Sequence, residues 1–145
     1  VAKAAIFLSE SQYITGQTLG SYPVFNAAYS EASSAQFIHK LSSDLTTSIY
    51  STVFGSSSLS GPPPSRAIDI SPTAFLVDNC ENVYVSGWGG GFNGASSTTG
   101  AYNPYAGGST MGMTVTGDAQ QSTTDGSDFY FFVMEQDAAG ILYGT

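Results

Sequence analysis

The sequence holds one cysteine, Cys80, and one histidine, His39. A single thiol excludes a disulfide framework and a cysteine-rich metal site. A single imidazole excludes any two-histidine site and leaves one place at most for a Ser-His-Asp triad. Basic residues are nearly as scarce: three Lys and Arg stand against eleven Asp and Glu, for a net charge of -8. Nucleic acid is bound through a basic surface that displaces counterions, so no nucleic-acid partner is expected. An anionic membrane surface is excluded for the same reason. No apolar run approaches the ~20 residues of a spanning helix, so no membrane insertion is expected. Lys3 is followed by too short an apolar stretch to read as a signal peptide. No segment reads as a helix of about ten residues or more; residues 27–35 could form a turn of helix at most.

What remains is a chain of 145 residues, the size of one ordinary domain and long enough to bury a core. Charged residues are only 10% of it, and its polarity comes from 22 Ser, 14 Thr and 17 Gly. That balance fits an extracellular or cell-surface setting. Short runs rich in Ile, Val, Tyr, Phe and Thr alternate with Gly, Ser, Asn and Asp clusters, a β pattern throughout. Strands are expected at residues 4–8, 12–16, 36–41, 48–54, 73–77, 83–87, 128–135 and 140–145.

The sequence also repeats itself. Tyr13-Ile14-Thr15-Gly16 returns as Tyr84-Val85-Ser86-Gly87. Upstream, Ala5-Ile6-Phe7-Leu8 resembles Thr73-Ala74-Phe75-Leu76. Gln36-Phe37-Ile38-His39-Lys40-Leu41 aligns with Phe129-Tyr130-Phe131-Phe132-Val133-Met134, Asp44 with Asp137, and Ser48-Ile49-Tyr50-Ser51-Thr52 with Ile141-Leu142-Tyr143-Gly144-Thr145. Each copy reads strand, turn, strand, long polar loop, strand, tight turn, strand. Four antiparallel strands per copy is the pattern of a propeller blade. Residues 1–55 form the first copy, 56–66 a Ser/Pro-rich linker with Pro62-Pro63-Pro64, and 67–145 the second copy, with a Gly/aromatic insertion at 88–113. The expected fold is therefore all-β: two four-stranded antiparallel propeller-type blades, part of a larger propeller. Two blades cannot close a ring, and each would expose an apolar face. Thr145 falls inside a strand whose counterpart continues through Val53-Phe54-Gly55. The expected partners are accordingly the remaining blades of the same protein or further copies of the chain.

Two phrases carry a family resemblance: Asp78-Asn79-Cys80-Glu81-Asn82-Val83-Tyr84-Val85-Ser86-Gly87, and Gln36-Phe37-Ile38-His39-Lys40-Leu41 followed by Ile49-Tyr50-Ser51-Thr52-Val53-Phe54-Gly55. They resemble the SBBP-type β-propeller repeat of bacterial extracellular proteins. The segment from Asp69 to Cys80, with that from Ser122 to Val133, is similar to large gliding-associated, type IX-secreted surface proteins of Bacteroidetes. Glu81 departs from the pattern, since such repeats usually have Gly there. The resemblance implies no catalytic residues. It implies a noncatalytic structural or interaction module of an exported surface protein, serving adhesion, a surface filament or gliding.

Few residues suggest chemistry of their own. His39 aligns with Phe132, which points to packing. Cys80 lies between Asp78 and Glu81, with no nearby cation to activate a thiolate. Asp69, Asp78 and Asp128 lie at strand starts or turns, where carboxylates bond local backbone N–H groups. Asp125 and Asp128 flank Gly126 and read first as a turn with two capping aspartates, with a loosely bound calcium ion as the alternative. Gly89, Gly90 and Gly91 are not followed by the Lys of a phosphate loop. Trp88, Phe92, Tyr102 and Tyr105 put aromatic faces on a Gly-rich loop, a composition suited to stacking on sugar rings or anchoring a surface protein. A glycan-binding module using that loop is thus the first alternative function. A secreted hydrolase whose centre is completed by other blades is the second.

Overall fold

The computed structural model describes residues 2–7, 10–58, 68–89 and 108–145. Two four-stranded antiparallel meanders account for its regular structure. The first comprises β1 (Ala2–Phe7), β2 (Ser11–Gln17), β3 (Gln36–Ser42) and β4 (Ser48–Phe54). The second comprises β5 (Ser71–Val77), β6 (Val83–Trp88), β7 (Phe129–Met134) and β8 (Ile141–Gly144). All eight lie on the segments expected to be strands. No α-helix forms among the described residues; the β7–β8 connection is a 3₁₀ turn, Gln136–Ala138.

Strand register makes the repeat a structural one. Ile14 pairs with His39 and His39 with Ser51 in the first sheet. Val85 pairs with Phe132 and Phe132 with Gly144 in the second. His39 and Phe132 therefore hold matching positions, as the alignment has them. The first strands do not match as aligned. Ile6 pairs with Tyr13 and Leu76 with Tyr84, so Ile6 corresponds to Leu76 rather than to Ala74. Four residues separate the last pair of β1–β2, Phe7 and Gln12, and five separate that of β5–β6, Val77 and Val83, and a bulge interrupts each pair. The shift of two residues keeps every side chain on its own face, which is why the apolar pattern conceals it.

The sheets stack through opposite faces. The first contributes Tyr13, Ile38, Tyr50 and Phe54, and the second Val83, Val85, Tyr130, Phe132 and Met134. In matching positions, Tyr13, Ile38 and Tyr50 correspond to Tyr84, Phe131 and Tyr143, which point away from the joint. The front of one sheet thus meets the back of the next. Phe54 stacks on Phe132 at 4.9 Å between ring centroids, and Tyr29 covers Phe132 from the side at 5.9 Å.

The long loop of each copy closes the last strand's edge. Phe25 exchanges backbone hydrogen bonds with Ser51 on β4, and the Thr116 N–H donates to Gly144 O on β8. Ser51 and Gly144 correspond, so both copies protect the same edge from pairing with other strands. Gly55 follows β4 at φ +148°, and a Cβ there would run into the Asp69 carboxylate. Only glycine permits that approach.

Candidate functional site

Three places gather polar or aromatic groups: the joint between the sheets, the outer face of β5–β8, and a cleft at one end of that face.

The joint is locked at both ends. At one, Lys40 on β3 donates to Glu81 Oε2 at 2.8 Å and to Asp137 Oδ1 at 3.0 Å, both across the joint. Its Nζ also lies 5.3 Å from the Tyr13 ring centroid. The Lys40 side chain is only 8% exposed, whereas Glu81 and Asp137 are 29% and 56% exposed. Desolvation works to lower the Lys40 pKa, but the hydrogen bonds it donates to Glu81 and Asp137 outweigh it and hold the value above that of free lysine. The bond from Lys40 conversely holds Glu81 below the usual carboxyl range. Glu81 sits at φ +63°, a conformation that favours glycine. The ion pair with Lys40 holds the Glu81 side chain at this turn. The neighbouring turn is held by Asp78, which accepts hydrogen bonds from Cys80 N, Asn82 N, Asn82 Nδ2 and Tyr84 Oη at 2.8–3.0 Å.

At the other end Asp69 is 2% exposed. It accepts hydrogen bonds from Ser56 Oγ, from Ser56 N at 3.0 Å and from Gln36 Nε2 at 3.3 Å. Gln17 Nε2 donates to Ile70 O at 2.8 Å. These bonds join segments far apart in sequence, where local backbone capping was expected for Asp69. Burial outweighs the donors and raises the Asp69 pKa.

The two carboxyls give stability a defined pH dependence. Glu81, lowered in the folded state, contributes stability above its unfolded pKa and loses it as pH falls through the folded value. Asp69, raised in the folded state, contributes stability below its unfolded pKa and loses it as pH rises through the folded value. Of these groups, Glu81 steepens the fall in melting temperature below the ordinary carboxyl range of about 4 and Asp69 steepens the fall above it, while His39, held below its free value by burial, adds stability as pH rises toward its unfolded pKa. In Asp69→Asn the decline on the neutral side should flatten while the acid-side fall remains. Unchanged slopes on both sides in a thermal-melt series across pH would refute this assignment.

His39 is half-buried on the outer face of the first sheet. Its Nδ1 is 2.9 Å from Tyr22 Oη, and its Nε2 is 2.7 Å from Ser48 Oγ. Burial lowers its pKa, favouring neutral imidazole. Tyr22 also stacks on Phe37 at 3.9 Å. This arrangement holds a loop against the sheet, with a hydroxyl group at each imidazole nitrogen.

The outer face of β5–β8 carries Leu76, Tyr84, Trp88, Phe129, Phe131, Val133 and Tyr143, placed on one side by the register. Phe131 lies 6.3 Å from Tyr84 and 6.1 Å from Tyr143, centroid to centroid, and forms an aromatic row. Trp88 and Phe129 meet edge-to-face at 5.4 Å and are 52% and 48% exposed. Beside Phe129 opens a cleft of about 210 Å³, lined by residues that include Thr110, Gln120, Gln121, Asp128 and Tyr130.

Of the residues singled out in the sequence, Trp88 belongs to this face. Phe92, Tyr102 and Tyr105 lie outside the described residues. Asp125 Oδ1 accepts from Ser127 N at 2.9 Å within its turn, and Asp128 lines the cleft. Among the described residues no group of three or more His, Cys, Asp or Glu side chains is placed to hold a metal ion. The Lys40 and Asp69 locks were missed. Sequence carried a signal for the first alone, a lysine aligned with Val133 of an apolar run. No helix among the described residues is long and apolar enough to cross a membrane. Compared with known proteins, the chain matches no family model, no curated protein and no solved structure.

Proposed function

We propose that the chain is a noncatalytic structural and interaction module of an exported bacterial surface protein, contributing two blades of a β-propeller. The observation that carries this reading is the front-to-back stacking of two sheets with matching register. Such a joint can be repeated by further blades, and it devotes the buried ionisable groups to holding sheets together. The low charge, the extended polar loops and the resemblance to SBBP-type repeats support an extracellular position. An antibody against the chain is expected to label intact cells that produce it. Labelling only after permeabilisation would overturn the surface assignment.

A second reading is favoured by the exposed Trp88–Phe129 pair beside the cleft. Sugar rings stack on aromatic faces, and Gln120, Gln121 and Asp128 supply hydrogen-bonding groups for hydroxyls. On this reading a glycan array should show binding that Trp88→Ala lowers at least tenfold. Binding unaffected by Trp88→Ala would remove the pair from any glycan site.

A further inference from the structure

The two outward faces of the stack differ from ordinary surface because each matches a face already used inside it. Tyr84, Phe131 and Tyr143 on the second sheet occupy the positions that Tyr13, Ile38 and Tyr50 occupy at the joint. At the other end, Ile14, Phe37 and His39 on the first sheet occupy the positions of Val85, Tyr130 and Phe132. The molecule thus carries the strand positions of both halves of its own joint, one at each end, with Phe37 of the inserting half lying beneath Tyr22 at 6% exposure. The exposed half on β5–β8 is the more apolar, with Leu76, Trp88 and Phe129 each about half exposed. A contiguous apolar face of this kind marks an interaction surface.

Resting on the reading of the chain as a stacking module, we propose that the outer face of β5–β8 receives the outer face of β1–β4 of a second copy, extending the same front-to-back stack. The receiving and inserting faces differ, so the contact is heterologous and repeats from copy to copy. Covering the inserting face would not strand His39, because both of its nitrogens already have hydrogen-bond partners in Tyr22 and Ser48. Val133 replaces Lys40 on the receiving face, so the contact lacks the lysine of the internal joint. Asp44, which matches Asp137, needs none, because its carboxylate is bonded to Ser42 and Thr46. Without that ion pair, and with a net charge of -8 on each copy, association should be weaker than the internal joint and strengthened by salt.

Sedimentation velocity of the 145-residue chain tests this, from about 1 μM to about 1 mM, where contacts of modest affinity become populated. The weight-average mass should climb with concentration and with added salt. Phe131→Glu on the receiving face and Ile14→Glu on the inserting face should each hold the chain monomeric. An equimolar mixture of the two should form a 1:1 dimer and nothing larger, because one intact half survives on each. A monomer at every concentration would overturn the proposal. So would association by Ile14→Glu alone, which would mean that like faces pair, or association by Phe131→Glu alone, which would mean another surface. Circular dichroism checks that each variant folds; should Phe131→Glu not fold, Trp88→Glu probes the same face. These results are independent of the antibody labelling, so a monomeric chain on the cell surface would refute the stacking and leave the module reading intact.

Discussion

Replacing Phe132 by alanine should be the most damaging single change in the chain, at about 3–5 kcal/mol. Its ring is 1% exposed, stacks on Phe54, and touches Tyr29 and Tyr130. Truncation removes the ring's transfer energy and leaves a cavity between two sheets that are each rigidly hydrogen-bonded and cannot close over it. Since a domain of this size has about 5–15 kcal/mol in total, the variant should be largely unfolded at moderate urea. The neighbouring residue supplies the control. Phe131 is the same residue type on the same strand, but it faces outward and is half-buried, so Phe131→Ala should cost about 1 kcal/mol. Urea midpoints at dilute protein, with unchanged slopes, measure the difference. Equal losses for the two variants would mean that the sheets do not stack through the face assigned here.

The second large effect is expected at Lys40. Removing one partner from a fully buried ion pair costs about 3–5 kcal/mol. Here Glu81 and Asp137 keep partial contact with water, so their stranded charges are screened. Lys40→Met, which preserves the stem's volume against Tyr13, should therefore cost about 2 kcal/mol. In a chain of this length that lowers the melting temperature by about 4–8 °C. Adding Glu81→Gln should recover part of the loss, because the unpaired carboxylate is then gone. A double-mutant cycle should show coupling of about 1 kcal/mol. Strict additivity would mean that Lys40 acts only through its methylenes. The variants also separate by pH: the wild-type advantage should shrink as Glu81 is protonated on the acid side and persist on the alkaline side, where the raised Lys40 pKa preserves the pair.

The eight strands were legible because strand signals are local. β-branched and aromatic runs between Gly, Asn and Asp turns need no tertiary information, and Asp78 shows why such turns can be read. Its carboxylate bonds the N–H groups of Cys80 and Asn82, two and four residues onward. The partners of Asp69 could not be found in this way. Ser56 and Gln36 are 13 and 33 residues away, and their approach depends on how the second sheet docks on the first. The offset between β1 and β5 is hidden in the sequence for a related reason. A two-residue shift along a strand preserves every inside–outside assignment, so apolar pattern alone has no power to detect it.

Trp88 illustrates a different limit. Sequence placed it on a Gly-rich recognition loop with Phe92. It is the last residue of β6, paired with Phe129 in strand register, and its exposed ring continues the aromatic row of a sheet face. A strand's end and a loop's beginning look alike in sequence, and only the hydrogen-bond ladder distinguishes them.

What the sequence by itself determined is the all-β class, the strand positions, the twofold repetition and the exclusion of disulfide and two-histidine chemistry. Each follows from composition or from periodicity within a few residues. Only the tertiary structure decided which face of each sheet is buried, that Lys40 and Asp69 lock the joint, and that Phe131 faces outward while Phe132 lies in the core. The run from Phe129 to Val133 is apolar at every position, so alternation carries no information there. The choice between its two faces is made by the neighbour that covers one of them.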